Sequence, residues 1–438
     1  MTIPTFTGYN TALSGLQAAQ AAIDTTGENI ANANTAGYTR QVVNTGEAGS
    51  LGIPQVSQEG AQAELGTGVD ITSISRIRDQ FLDIQYRAQN TASSNANTNS
   101  TQLQEVQTAV NEPSSDGVST QLDAFYSAWS ALASTQNSST QGAVVSAGQT
   151  LVSTLNSTYQ QMQTVQAQAG QQYATLTGAN GQVEQDATQL ATLNGEISQA
   201  TQAGQTPNNL LDQRDNVLDD LSGLAQISVT NQTDGSVTVG FGDASTPLVS
   251  GTTVTWPQTL TAASGGQLGA LLNLSDTSSS GTIQQYMNSL SSVAGQITSS
   301  VNALQPSSPF FSGTLGSTTS PLTVSATAST VQSSSSSTSG ADLAQSIANL
   351  SGGAASQSYA AYVSQIGSGV QAAQTTQATA QAVLTAVSNQ RQSVSGVSLD
   401  QEMTNLINYQ QAYQASARVM NAMDSALNTL ITTVGAGL

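Results

Sequence analysis

Residues Leu399 to Val434 constrain the fold more than any other stretch. Leu399, Met403, Leu406, Gln410, Tyr413, Ala417, Met420, Asp424, Leu427, Ile431 and Val434 step alternately four and three positions. That is the a/d seam of a heptad on one side of an α-helix. Only Gln410 and Asp424 are polar. Ser398 is placed to cap this helix and Gly435 to end it. A helix of this length with one narrow apolar seam cannot bury the seam on itself, so a partner helix is expected. Leu13, Leu16, Gln20, Ile23, Gly27 and Ile30 repeat the spacing near the other end of the chain. Asn10 and Thr11 can cap that helix, and Asn34 to Gly37 stop it. Matching seams predict a rod made from both ends, with the middle of the chain as a long insertion between them. Ala12, Gly15, Ala18, Ala19 and Ala22 give the first helix a face of small residues. Such a face permits close packing but provides little burial.

Composition excludes several classes of function. The chain has 438 residues, enough for about three domains. Charged residues are 8%, the net charge is −19, and the seven basic residues are all arginine: Arg40, Arg76, Arg78, Arg87, Arg214, Arg391 and Arg418. No two of these form a run that could grip phosphate, so neither nucleic acid nor an anionic membrane is an expected partner. Cys and His are absent, which removes thiolate nucleophiles, disulfides and imidazole acid–base chemistry. No apolar run approaches the roughly 20 residues of a membrane helix. Met1 to Asn10 carries no Lys or Arg, so no secretory leader is expected.

The middle reads as mostly helical. Strand signals occupy 41–77, including Pro54 and Val56 as punctuation and strand residue. Asp79 starts a helix that Pro113 ends, and residues 118–135 form another, with Phe125, Trp129 and Leu132 on one side. Residues 140–203 are expected as one helix, a rod of about 95 Å at 1.5 Å per residue. Pro207 starts the next. Ile227 to Phe241 alternates around Asp234-Gly235, a type I′ hairpin signal, and strands continue to Trp256. One helix is expected over 266–304, ended by Pro306. Residues 307–340 are rich in Ser, Thr and Gly, with a strand signal at 322–324 and a low-complexity run at 333–337. They are expected to tolerate replacement by a Gly/Ser linker. A helix over 357–392 then leads through Gly396 to the terminal seam.

No catalytic constellation emerges. Asp212, Asp215 and Asp219 share a helix face and read as a solvated acidic face beside Arg214 rather than as a metal or acid–base site. Asp234-Gly235 lacks the further oxygen ligands of a calcium loop. Ser is abundant, but no His exists to activate it. No catalytic, cofactor or metal residue is assigned, and no cofactor is expected.

Two strings carry a resemblance. Gly27 to Arg40 reads GENIANANTAGYTR and resembles the N-terminal signature of bacterial flagellar axial proteins, the rod, hook and hook-associated subunits. The match lies at Asn29, Ile30, Ala31, Asn32, Thr35, Gly37 and Tyr38, with departures at Glu28 and Ala36. Ser395 to Met403 and Tyr409 to Arg418 resemble the C-terminal signature of the hook-associated protein 1 branch, as does the string from Asn208 to Asp215. The resemblance spans most of the chain apart from 307–355.

It implies a structural subunit, not an enzyme, at the junction of flagellar hook and filament. Assembly would be by packing of copies, through Leu13, Leu16, Ile23, Asn29, Ile30, Asn32, Gly37 and Tyr38 with Leu399, Met403, Leu406, Tyr413, Met420, Leu427, Ile431 and Val434. The implied partners are further copies of the chain, the hook subunit, the second junction protein (hook-associated protein 3) and an export chaperone on the C-terminal region. Export to the flagellum would use no cleaved signal peptide. A hook or distal rod subunit is the nearer alternative, and a secreted coiled-coil adhesin or effector the more distant one.

The expected fold is mainly α with β-containing insertions, a long helical bundle whose N- and C-terminal helices pair as a coiled-coil rod. Its expected divisions are an N-terminal axial helix at 1–40 and a middle helical domain over 41–225, 266–306 and 356–394. A β-hairpin region at 226–265, an outer insertion at 307–355 and a C-terminal axial helix at 395–438 complete it.

Overall fold

The computed structural model describes residues 7–49, 51–53, 63–305, 307–334 and 342–435. Pro54, Val56, Pro306 and residues 335–337 of the serine run lie outside them. Helix α1 (Thr7–Ala31) leads into strand β1 (Gln41–Glu47), which pairs antiparallel with β4 (Val69–Arg76) through a register shift at Asn44/Thr45. The short pair β2 (Leu51–Ile53) and β3 (Ala63–Leu65) lies between them in sequence. Asp79 caps α2 (Gln80–Val110) by accepting from Phe81 N. There follow α3 (Val118–Ser134), α4 (Ser138–Thr177), α5 (Gln182–Gln202) and α6 (Asn208–Leu224).

Strands β5 (Ile227–Asn231), β6 (Val237–Phe241), β7 (Val249–Ser250) and β8 (Thr253–Val254) form one sheet in sequence order. Next come α7 (Gly266–Ser275), α8 (Thr282–Ala303), the pair β9 (Phe311–Ser312) and β10 (Thr323–Val324), and α9 (Asp342–Ala348). The chain returns along α2 through α10 (Ala354–Ser395) and ends in α11 (Leu399–Gly435), which packs along α1. The architecture is mainly α with small sheets, as the periodicity predicts.

Two apolar cores hold the middle together. The larger joins α3, α4, α8, α9 and parts of α2 and α10 around Phe125, Trp129, Leu151, Met162 and Leu290. The smaller packs Leu190 and Ile197 of α5 and Leu218 and Leu221 of α6 on Val237, Val239 and Phe241 of the sheet.

Four expectations are corrected. Residues 140–203 are not one rod, because the chain breaks between α4 and α5 at 178–181, where Asn180 adopts φ +58°. A Cβ on Gly181 would lie 2.5 Å from Leu176 O. The loop preserves the seven-residue step from Leu176 to Val183, so periodicity alone does not register it. The helix over 266–304 is also two, α7 and α8. Asp276 accepts from the amide and hydroxyl of Ser278 and from the Ser280 hydroxyl, and this local bonding competes with the helix. The hairpin is not type I′. That turn needs positive φ at both central residues, whereas Gly235 has it and Asp234 does not. The connection spans five residues, closed by Gln232 N donating to Ser236 O at 2.9 Å.

The described part of the Ser/Thr-rich stretch, residues 307–334, finally, does not stand apart. Phe310 and Phe311 are buried in the larger core, with the Phe310 ring 5.5 Å from both Phe125 and Trp129. Gly148 of α4 makes room for Phe310, since a Cβ there would lie 2.6 Å from the ring. A Gly/Ser linker would therefore leave a void. Phe310→Ala is expected to cost about 3–5 kcal/mol, read as a lower urea midpoint.

Asp186 on α5 is buried, and its Oδ2 has no hydrogen-bond partner while Oδ1 accepts from Gln182 Nε2 at 2.7 Å. Burial pushes its pKa up to about 6, opposed by the Gln182 bond and reinforced by Asp220. A raised folded-state pKa means the native state holds the proton more tightly. The stability this gives is full below the unfolded value near 4 and is lost as pH rises through about 6. Asp186→Asn is expected to flatten that decline, seen as a smaller fall in Tm than the parent shows between pH 5 and pH 7.5.

Candidate assembly site at the chain ends

Helix α1 packs its small residues against α11, which meets them with Ser416 and Met423 among others. On α1 the buried positions Ala12, Ala19, Ala22, Thr26 and Asn29 continue through half-buried Gly15. Together they keep a three-and-four step displaced by one residue from the expected seam. The approach is close: a Cβ on Gly8 would overlap Met423, and one on Gly15 would lie 3.2 Å from Ser416 Oγ. Gly8 and Gly15 on α1 thus leave the space that Met423 and Ser416 of α11 fill.

The large apolar residues expected at the seam are consequently not fully covered. Leu13, Leu16, Ile23 and Ile30 are half-buried, while Gln20 and Gly27 are exposed. On α11, Leu406, Tyr413, Ala417, Met420 and Leu427 are half-buried, and Gln410 and Asp424 are exposed. Leu399, Met403 (51%), Ile407 (52%), Val419 and Ile431 are exposed. The Val434 side chain lies outside the described residues. The covered face of α11 instead keeps its seven-residue step at Glu402, Tyr409, Ser416 and Met423, one position before the expected Met403, Gln410, Ala417 and Asp424, and this leaves Leu399, Met403 and Ile407 as an apolar strip.

At the root of the rod, Asn29 is buried and uses both ends of its amide. Its Nδ2 donates to Gln41 O at 2.9 Å and Glu402 Oε2 at 3.1 Å; its Oδ1 accepts from Gln41 N and Tyr38 Oη, both at 2.9 Å. Glu402, also buried, accepts from Arg40 Nε at 2.7 Å, and Arg40 N donates to Ser395 O at 2.9 Å. Asn29 thus fastens the end of α1, the start of β1 and the start of α11 together. Burial, with Glu28 and Asp212 nearby, pushes the Tyr38 phenol up to about 12, so it remains a donor at neutral pH. Asn32 serves the turn, donating to Glu28 O and accepting from Thr35 Oγ1. Gly37 sits at φ +78°, where an L side chain is strained, and a Cβ there would also displace the Asn216 amide of α6. Glu402 lies within the C-terminal string but off the heptad seam, so periodicity does not mark it.

The acidic triplet of α6 is not a solvated face. Asp212, Asp215 and Asp219 are buried or nearly so against arginines from β4, α2, α10 and the loop between β4 and α2. Arg76 at the end of β4 reaches Asp212 at 2.6 Å and Asp215 at 2.9 Å. Arg78 binds Asp83 through two nitrogens and reaches Asp215 at 3.2 Å. Arg87 on α2 pairs with Asp219 at 2.9 Å and Asp215 at 3.3 Å. Arg391 on α10 reaches Asp219 at 2.6 Å and stacks 3.8 Å from the Tyr86 ring centroid. Burial alone would raise the Asp215 pKa, but Arg78, Arg76 and Arg87 outweigh it and hold the carboxyl below the usual range. Asp212 also accepts from Thr39 N at 3.1 Å, tying this cluster to the rod's root. The arginines do cluster, contrary to their spacing in the sequence, and the carboxylates offset them. Among the described residues no group of acidic side chains could hold a metal ion.

This arrangement orients and stiffens a joint and leaves apolar strips beyond it. Comparison with known proteins agrees with a structural role. Residues 103–262 match the family of the flagellar hook-associated protein FlgK helical domain. Residues 388–433 match the flagellar basal body rod FlgEFG protein C-terminal family, and residues 10–39 the flagella basal body rod protein family. Flagellar hook-associated protein 1 of Bacillus subtilis is 28% identical, with 99% of each chain covered. The protein of that name from Escherichia coli is 30% identical over 56% of this chain and 43% of its own length. The structure of the flagellar hook junction protein FlgK from Burkholderia pseudomallei overlaps 51% of this chain and 43% of its own, at 27% identity and a TM-score of 0.44.

Proposed function

The chain belongs to the flagellar hook-associated protein 1 family, structural subunits of the hook–filament junction, and from that premise we propose that its copies assemble through the outward faces of α1 and α11. The observation that carries this is the burial pattern of the two helices. The small residues of α1 face α11, while Leu399, Met403, Ile407, Val419 and Ile431 of α11 remain exposed. Each such side chain contributes roughly 1 kcal/mol or more when a neighbour covers its remaining apolar surface. A monomer gains nothing from displaying them.

The neighbours of this reading are further copies, the hook subunit on one side and hook-associated protein 3 on the other. Before assembly the same strip of α11 is a site for an export chaperone, and the chain reaches the flagellum without losing its N-terminus. The helical middle favours the junction over a hook or distal rod subunit, because the match over residues 103–262 is to the hook-associated helical domain. Electron microscopy of a deletion strain tests the role. Bare hooks with secreted, unpolymerised flagellin are expected, and complementation should restore filaments. Normal filaments in the deletion strain would exclude it.

A further inference from the structure

We propose that the groove between α2 and the open edge of β5 docks an extended segment of a partner chain that carries a carboxylate side chain. This proposal does not depend on the role proposed for the terminal strips. The groove encloses about 1000 Å³. One wall is α2, with Ile84, Thr91 and Asn95, and the other is β5.

Strand β5 is the end strand of its sheet. Gln232 N donates to Ser236 O and Gly242 N to Gln226 O, so the even-numbered residues of β5 face β6. Ile227, Val229 and Asn231 therefore turn their backbone N–H and C=O groups outward. Such a row of unpaired groups is a template for an added strand. No helix or loop among the described residues pairs with it.

Arg214 specifies the side chain. It lines the groove and is only 8% exposed. Its Nη1 donates to Gly235 O at 2.8 Å, and its Nε has no acceptor. Arg76, Arg78, Arg87 and Arg391 each hold an aspartate, and Arg214 alone of these neighbours forms no ion pair. Burial, with Arg76, Arg87 and Arg78 close by, lowers its pKa despite Asp215. A buried guanidinium whose Nε lacks an acceptor is matched best by a carboxylate, the charged acceptor that suits its planar donor geometry. In a chain of net charge −19, this surplus cation is a local exception, and it stands beside an open strand edge.

The test uses the full-length monomer labelled with ¹⁵N-arginine, whose seven arginines give seven Nε–H signals. Three capped pentapeptides are titrated: Val-Thr-Asp-Val-Thr, the same peptide with Asn for Asp, and the Asp peptide with alternate amides N-methylated to block strand pairing. Only the first is expected to move the Arg214 signal to saturation. No movement at millimolar peptide, or equal movement with the Asn or N-methylated peptide, would overturn the proposal.

Discussion

Met403→Asp combined with Ile407→Asp is expected to abolish incorporation into the flagellum while leaving the monomer's melting unchanged. Both side chains are about half exposed on α11, so the monomer loses little packing, and surface changes of this kind shift stability by about 0.5 kcal/mol or less. In an assembled interface the same aspartates would be buried unpaired, at a cost of several kcal/mol each. The paired readouts are sedimentation of the purified protein under polymerising conditions and the fraction of cells carrying filaments. Gln411→Asp, at an exposed polar position of the same helix, is expected to assemble normally and controls for added charge. Retained assembly in the double variant would place the contact elsewhere.

Asp215→Ala is expected to destabilise the monomer strongly. Its carboxylate meets Arg76, Arg78 and Arg87, and removing it leaves buried guanidinium groups short of their counter-charge. Breaking one partner out of a buried pair costs about 3–5 kcal/mol, measurable as a lower urea midpoint with an unchanged slope. The lowered pKa fixes the pH behaviour. The stabilisation is complete above the unfolded carboxylate value near 4 and is lost as pH falls through the folded value. The acid limb of the stability curve should therefore be shallower in Asp215→Ala than in the parent. An unchanged midpoint would show that the remaining aspartates suffice.

What was legible in the sequence was whatever repeats locally. The heptad step at 399–434 and its echo at 13–30 predict two paired end helices, and these pack together. The step did not say which side faces inward. Leu13, Leu16 and Ile23 are the larger apolar residues, yet Ala12, Ala19 and Ala22 sit at the buried positions, because close helix approach favours the smallest side chains. The arginine–aspartate cluster was illegible for another reason. Arg76 and Asp212 are separated by 136 positions, and no linear pattern joins them until β4 and α6 are placed side by side. Phe310 was hidden by composition, since two adjacent aromatics in a Ser/Thr-rich stretch barely change its mean hydropathy. Gly178, Asn180 and Gly181 did carry a signal for the break after α4, but the preserved heptad phase masked it. Asn29 and Tyr38 stood out only through a resemblance; the four-way bonding of the Asn29 amide supplies their physical reason.

Coupling of order in the terminal rod to assembly is most directly measured by hydrogen exchange on the purified protein, dilute and polymerised. Fixing each residue's backbone costs roughly 1–2 kcal/mol, and the small side chains that α1 brings to its contact with α11 offset little of it. Amides of Thr7–Ala31 and Leu399–Gly435 should exchange fast in the dilute monomer while α3, α4 and α8 stay protected. In the polymer both terminal helices should become slow. Equal, slow exchange of the terminal helices in monomer and polymer would contradict folding coupled to assembly.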